Sequence, residues 1–281
     1  MRIGAHVSSS GRLDLAIDRA VDIGAEAAQV FLSGPQQWRS KKVTPQDAEA
    51  YRQKAEKQNI ETFFHGVYLI NLGTSNPENL VKGIDSLVSY QEAADAIGCK
   101  GTIFHVGSHG GVGFETVLPQ VVKSMAQVLE TSPEVPWLII ENSAGMGRSI
   151  GSSFAEIGKI IKELGNARVK VCVDTQHSFA NGYNVATKDG LDATMDEFDR
   201  EIGMDRLVAV HANDSKVPFS GGLDRHENIG EGHIGLQGFA VIMGHKAFRN
   251  TTFLLEVPGF DRKGPDRQNV DLLKAMRSPR G

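Results

Sequence analysis

Eight times along the chain a short apolar, β-branched run gives way to a longer amphipathic stretch, and this alternation constrains the fold more than any other feature. The runs are Arg2–Val7, Ala27–Leu32, Glu61–His65, Gly101–Val106, Trp137–Asn142, Val169–Asp174, Leu207–Asn213 and Thr252–Val257. Helix-like stretches lie near 12–23, 45–58, 78–97, 115–130, 153–164, 189–201, 237–247 and 266–277. Eight β-then-α units in a row predict an α/β fold, a closed (β/α)8 TIM barrel forming a single catalytic domain over 1–281. The runs are almost continuously apolar, as parallel strands buried on both faces must be. An open doubly wound sheet is the structural rival that periodicity alone leaves standing. Two irregular stretches, 33–44 and 216–236, are rich in Gly, Pro, Ser and charge, and both follow strands. In a barrel they would lie on the catalytic face, as substrate-contacting loops or as plain connections.

No apolar run approaches the roughly 20 residues of a membrane helix. The opening Met1-Arg2-Ile3-Gly4-Ala5-His6 is unlike a secretory leader. Cys99 and Cys172 are the two cysteines and form no CxxC, so a disulfide framework is not expected and the reducing cytoplasm is the expected compartment. The formal net charge of −4 disfavours nucleic acid, although Arg39, Lys41 and Lys42 form a local basic cluster.

The ends of the runs carry the chemistry. Six in succession end at His65, His105, Glu141, Asp174, His211 and Glu256, each about one βα unit after the last. His177 follows three residues after Asp174, and the loop after the seventh run adds Asp224-Arg225-His226. Each residue alone has a structural explanation; a strand-end His is commonly just hydrogen-bonded. Together they would converge at one end of a closed barrel, where uncompensated buried charge is very costly. Imidazole with carboxylate suits zinc or a similar divalent ion. Nine ligand candidates exceed what one ion takes and fit two or three ions sharing a bridging carboxylate, an arrangement that typically serves phosphoryl chemistry.

The strings His65-Gly-Val-Tyr68-Leu-Ile-Asn71, Phe104-His105-Val-Gly-Ser108, Glu141-Asn-Ser-Ala-Gly145, Asp174-Thr-Gln-His177, His211-Ala-Asn213-Asp214-Ser215-Lys216, Asp224-Arg225-His226 with Gly230-Glu-Gly232, and Leu255-Glu256 resemble, in order, the motifs of the endonuclease IV family. The likeness runs from Ile3-Gly4-Ala5-His6 over essentially the whole chain. It implies a (β/α)8 barrel holding three zinc ions, with manganese an alternative at one site. His65 and His105 would bind one ion and Glu141 would bridge it to a second completed by Asp174, His211 and Glu256. His177, Asp224 and His226 would hold the third. The implied reaction is hydrolysis of the phosphodiester 5′ to an abasic site in double-stranded DNA, leaving a 3′-hydroxyl, and removal of blocked 3′ ends. Glu141, Glu256 and His105 would be the residues closest to catalysis. Gln36, Gln37, Tyr68, Lys216 and Arg225 would contact DNA, and the family suggests a monomer. Three divalent ions would more than offset the net charge of −4.

The sequence departs from the family at Gln36, where many members place a minor-groove Arg, and at Val257, where Thr is common. Gln36 can hydrogen-bond in a minor groove but brings no charge. Tyr68 would pack near a flipped sugar or else fill the core. His6 and His109 match family positions near the site, as ligand-supporting or phosphate-contacting groups; His233 and His245 read as surface residues. A sugar isomerase or epimerase on a related barrel, with one or two ions, is the rival enzyme. A metal-stabilised binding protein is the rival of another class, disfavoured because structural zinc sites are closed four-ligand sites.

Overall fold

A computed structural model of the chain describes residues 1–40 and 42–277, so Lys41 of the basic cluster lies outside the described residues. Eight parallel strands close into a barrel: β1 (Arg2–His6), β2 (Ala27–Val30), β3 (Glu61–His65), β4 (Gly101–Phe104), β5 (Trp137–Glu141), β6 (Val169–Asp174), β7 (Leu207–His211) and β10 (Thr252–Leu255). Each pairs with its sequence neighbour among these eight, and β1 closes the ring against β10. The expected closed barrel is therefore the architecture, and the open-sheet rival falls.

Six of the sequence-read runs extend one or two residues too far, at Val7, Leu32, Val106, Asn142, Asn213 and Val257. The Val7 N–H still reaches Gln29 O and Ala212 N–H still reaches Leu254 O, both at 2.9 Å, but beyond them the chain turns away into the loops of the mouth. The apolar pattern carries no record of where the ladder stops.

The helices start where side chains can satisfy orphan N–H groups. Thr44 accepts from Asp47 N–H ahead of Pro45, opening α2 (Pro45–Gln58), and Asn76 accepts from Asn79 N–H ahead of Pro77, opening α3 (Pro77–Ile97). α3 ends at Gly98, whose φ of 70° is left-handed. The other outer helices are α1 (Leu15–Asp22), α4 (Phe114–Thr131), α5 (Phe154–Leu164), α7 (Lys188–Glu201), α8 (Gly235–Gly244) and α9 (Arg267–Met276). Sequence periodicity missed α6 (Thr175–Ala180), which is too short and too fully buried to show an amphipathic stripe. It also missed the two-stranded hairpin of β8 (Asp214–Ser215) and β9 (His226–Glu227), which roots the supposedly irregular 216–236 loop.

The barrel interior explains where the site sits. Ala27, Phe63, Ile103, Ile139, Cys172, Ala209 and Leu254 form one buried apolar cluster, a plug with one residue from each of seven strands. Gly4 of β1 pairs with Ala27, and a Cβ on it would stand 2.5 Å from Ala27 O, so only glycine fits. Side chains alternate along a strand, so the residue two positions onward faces the same way. Those residues are His6, Gln29, His65, His105, Glu141, Asp174, His211 and Glu256.

Candidate metal centre

Glu141 stands at the centre of the group above the plug. Its Oε2 lies 3.0 Å from His65 Nε2 and 3.4 Å from His105 Nε2; its Oε1 lies 2.8 Å from His211 Nδ1 and 3.3 Å from His177 Nδ1. His211 Nδ1 also lies 3.4 Å from Glu256 Oε2 and 3.9 Å from Asp174 Oδ2. Asp174 Oδ2 in turn lies 3.7 Å from His226 Nε2, and Asp224 Oδ1 lies 3.2 Å from His226 Nε2 and 3.4 Å from His177 Nε2. All nine ligand candidates are thus linked at the mouth of the barrel. Three sets hold their ligand atoms within 4.8 Å of one another: His65–Glu141–His211, Glu141–Asp174–His211–Glu256, and Asp174–His177–His226. Asp174, like Glu141, faces two sets at once.

Burial grades from floor to rim. Glu141, Asp174 and His211 side chains are fully buried, whereas Asp224 on its loop is 42% exposed. Burial opposes charge on Glu141, but His105, His211 and His177 hold its carboxyl well below the usual range. Glu256 and Asp224 are likewise depressed against the penalty of burial, Glu256 by His211 and His6 and Asp224 by His177 and His226. Burial also opposes charge on His177, His211 and His226, yet the neighbouring Asp174 and Asp224 raise His177 and His226, and Cys172 with Glu141 and Glu256 raises His211. Burial lowers His6 and His105. Burial pushes the Cys172 thiol up to about 11, so this plug residue adds no thiolate to the donor set.

The imidazoles are oriented from behind. His65 Nδ1 lies 2.8 Å from Gly66 O, His177 Nδ1 2.9 Å from Asn142 O, and His226 Nδ1 3.3 Å from Glu256 O. A carbonyl only accepts, so each Nδ1 carries the proton and each Nε2 is left to face the acids. His177 Nε2 and His226 Nε2 are buried with no hydrogen-bond partner. Two partnerless buried nitrogens beside carboxylates are what a divalent ion would satisfy, and the chemistry of the donor set fits such an ion, zinc among them. Asn213 supports the acids: its Nδ2 donates to Asp174 Oδ2 at 2.7 Å and its Oδ1 accepts from Glu256 N–H at 2.9 Å.

Several sequence-read residues find other employment. Asp214, part of the family-like string after β7, accepts backbone N–H groups from Ser215, Gly230, Gly232, Ile234 and Gly235 and has nothing left for a substrate. His109 Nδ1 accepts from the N–H groups of Gly111 and Gly113, a turn-forming role with no link to the acids. His245, read as a surface residue, is largely buried, with Nε2 3.0 Å from Asp192 Oδ1 and its ring against Phe248; only His233 is exposed as expected. Tyr68 does not fill the core: it is 54% exposed and stands edge-on to His65 and Phe31 and stacked over His105. Its N–H donates to Pro35 O at 2.9 Å, tying it to the turn that exposes Gln36 and Gln37. Arg225 is exposed, while Lys216 lies 3.5 Å from Glu227 Oε2. A cavity of about 510 Å³ opens beside His6, between the loops after β1 and β2. The residue that sequence reasoning missed is Gln29, fully buried among His6, His211 and Glu256.

The model of the xylose isomerase-like TIM barrel family matches residues 17–277. A protein named probable endonuclease 4 from Halothermothrix orenii is 37% identical over 276 residues, covering 98% of this chain and 99% of the relative. The chain belongs to the endonuclease IV family. The resemblance read from its motifs is borne out, and the crystal structure of endonuclease IV from Thermus thermophilus superposes with a TM-score of 0.87 at 29% identity, covering 98% of both chains. A D-tagatose 3-epimerase-like protein shares the barrel at a TM-score of 0.75 but only 15% identity, which speaks for the fold alone. Among the described residues, no helix is long and apolar enough to cross a membrane.

Proposed function

We propose that this chain is a DNA-repair endonuclease that hydrolyses the phosphodiester 5′ to an abasic site in duplex DNA, leaves a 3′-hydroxyl, and also trims blocked 3′ ends. The observation that carries the reading is the linked set of nine acids and imidazoles at the barrel mouth of an endonuclease IV family member. His65, His105 and Glu141 would hold one zinc, Glu141, Asp174, His211 and Glu256 a second, and His177, Asp224 and His226 a third, with manganese an alternative at one site. Zinc so held supplies Lewis acidity and a nucleophilic water near neutral pH.

The protein's own residues bind and orient. Glu141, buried and depressed in pKa, stays ionised and holds the flanking imidazoles at fixed separation. Glu256 and His105, part-exposed above it, would meet an entering phosphate. Tyr68, fixed by the turn at Pro35, offers an exposed aromatic face beside His105 for the deoxyribose left without a base. Gln36 and Gln37 at the tip of that turn reach into a minor groove, with Arg225 and Lys216 flanking the duplex. We place the enzyme as a monomer in the reducing cytoplasm, which its two buried free cysteines suit.

The test is an end-labelled duplex carrying one tetrahydrofuran abasic analogue, which cannot undergo β-elimination. A single cut 5′ to the analogue, lost on prolonged chelation and restored by zinc, is the expected result. An intact duplex with metal content verified as full would sink the reading and turn attention to ketose isomerisation, the chemistry for which other proteins use this barrel.

A further inference from the structure

Gln29 is fully buried on β2 and belongs to the inward-facing positions just above the apolar plug. A buried primary amide needs partners for two N–H groups and a carbonyl oxygen. Gln29 finds all three among residues at the centre: Nε2 lies 2.5 Å from Glu256 Oε1 and 2.9 Å from His6 Nδ1, and Oε1 lies 2.8 Å from His211 Nε2. It thereby links four adjacent strands, β2, β1, β10 and β7.

The chemistry of these partners fixes which atom is which. The Glu256 carboxylate only accepts, so the amide NH2 faces it and the carbonyl oxygen faces His211. That oxygen also only accepts, so His211 Nε2 carries the proton. Without an ion, His211 Nδ1 carries a second proton toward Glu141 Oε1 at 2.8 Å; on binding an ion it would give that proton up and present its lone pair among Glu141 Oε1, Glu256 Oε2 and Asp174 Oδ2. His6 Nδ1 lies 2.9 Å from the Gln29 amide nitrogen and 3.4 Å from Glu256 Oε1; the shorter contact makes it the acceptor of the second amide N–H, with the His6 proton on Nε2. His65, His177 and His226 turn Nε2 inward because backbone carbonyls hold their Nδ1, and no substitution removes those carbonyls. His211 differs from these three in that a side chain, not a backbone carbonyl, holds one of its ring nitrogens, Nε2, and leaves Nδ1 toward the acids.

We propose that Gln29 is a positioning residue that sets the ring orientation and tautomer of His211, so that His211 meets its metal ion through Nδ1, and sets the complementary tautomer of His6. This rests on the metal-dependent endonuclease reading. Gln29 touches no substrate; it acts through His211 and Glu256.

The experiment compares wild type, Gln29→Leu and Gln29→Glu. Long-range proton–nitrogen NMR on ¹⁵N-histidine-labelled protein, zinc-loaded and zinc-stripped, reads which ring nitrogen carries the proton. Competition with a chromophoric chelator reads zinc affinity, and incision of the tetrahydrofuran duplex gives kcat and KM. We expect wild-type zinc-loaded protein to hold His211 protonated at Nε2. Gln29→Leu, with no acceptor, should lose that single tautomer and bind one zinc equivalent about 10- to 100-fold more weakly, with kcat falling and KM nearly unchanged. Gln29→Glu keeps an acceptor for His211 but offers no N–H to His6, so His211 should keep its tautomer while His6 loses its own. Wild-type tautomers and zinc affinity in Gln29→Leu would overturn the proposal; if that variant fails to fold, an unshifted His6 in Gln29→Glu does so. A wild type that binds zinc through His211 Nδ1 but leaves the duplex intact would sink the endonuclease reading and not this one.

Discussion

Replacing Asp214 by Asn should release the loop that carries Asp224 and His226 while leaving the barrel intact. Asp214 Oδ1 accepts from Ser215 N–H at 2.8 Å and Ile234 N–H at 2.9 Å; Oδ2 accepts from Gly230 N–H at 2.9 Å and from Gly232 and Gly235 N–H at 3.1 Å. One carboxylate thus closes both ends of the 216–236 loop and caps the N-terminus of α8. An amide in its place turns NH2 toward one of these donor sets, whichever way it flips. At least two N–H groups then lose their acceptor, each at about 1–3 kcal/mol, and because most of these donors are only partly buried the sum is about 2–4 kcal/mol. The loss is local, since the donors lie in the loop and not in the ladder. Hydrogen exchange in the loop should therefore quicken roughly 30- to 1,000-fold, at Lys216 N–H on Arg225 O and His233 N–H on Ser215 O, while Val210 and Phe253 keep their protection. On the proposed ligand assignment, the zinc equivalent given to His177, Asp224 and His226 should be lost before the others. Gly232→Ala should give the same pattern, because its Cβ would stand 2.5 Å from Asp214 Oδ1 and from Ser215 O. Unchanged loop exchange, or a loss of protection spread evenly over the barrel, would refute the reasoning.

Three further outcomes follow from the centre and its rim. Glu256→Gln should abolish incision by several orders of magnitude with little change in the circular dichroism or melting temperature; retained activity would remove the cluster from catalysis. Gln36→Arg adds a charge to an exposed turn tip and should tighten abasic-duplex binding, steepening the slope of log affinity against log salt by about one unit; an unchanged affinity contradicts the placement of that turn in DNA. In chelated protein the raised pKa values of His177, His211 and His226 mean that their protons stabilise the fold below the unfolded value and are lost as pH rises through the folded values. The melting temperature of chelated protein should therefore fall from about pH 6.5 upward, while zinc-loaded protein, whose ligands must be deprotonated, gains over the same range. A flat profile after chelation would count against the cation-like role of these imidazoles.

Much of the centre was legible because a barrel strand writes its inner face with a period of two. Phe63 to His65, Ile139 to Glu141 and Leu254 to Glu256 each step from plug to site, and a polar residue ending an apolar run is conspicuous. Gln29 obeys the same step from Ala27, but it is followed by Val30, Phe31 and Leu32, so the run does not end on it and the eye passes over. An amide also looks less like chemistry than an acid or imidazole does, although its two-sided hydrogen bonding suits the junction of a carboxylate and two histidines. What sequence could not give was the fate of Asp214. Its string Asn213-Asp214-Ser215-Lys216 marks the family without showing what the acid does, and only the fold brings Gly230 to Gly235 around it and makes it the anchor of a loop.

That anchor bears on how one barrel can serve unrelated chemistries. Glu141, Asp174 and His211 stand on strands, and any closed barrel with acids and imidazoles at those strand ends can hold one or two ions. The architecture shared with a D-tagatose 3-epimerase-like protein at 15% identity is the barrel alone. Asp224 and His226 come from the loop, and with His177 they make the group proposed for a third ion. The residues that hold this loop, Asp214 with Gly230 and Gly232, therefore decide between the two readings as much as the ligands do. An Asp214→Asn protein that keeps two zinc equivalents and loses the third with incision would locate the phosphodiesterase character in the loop. An Asp214→Asn protein that loses all three together would instead place it in the strands.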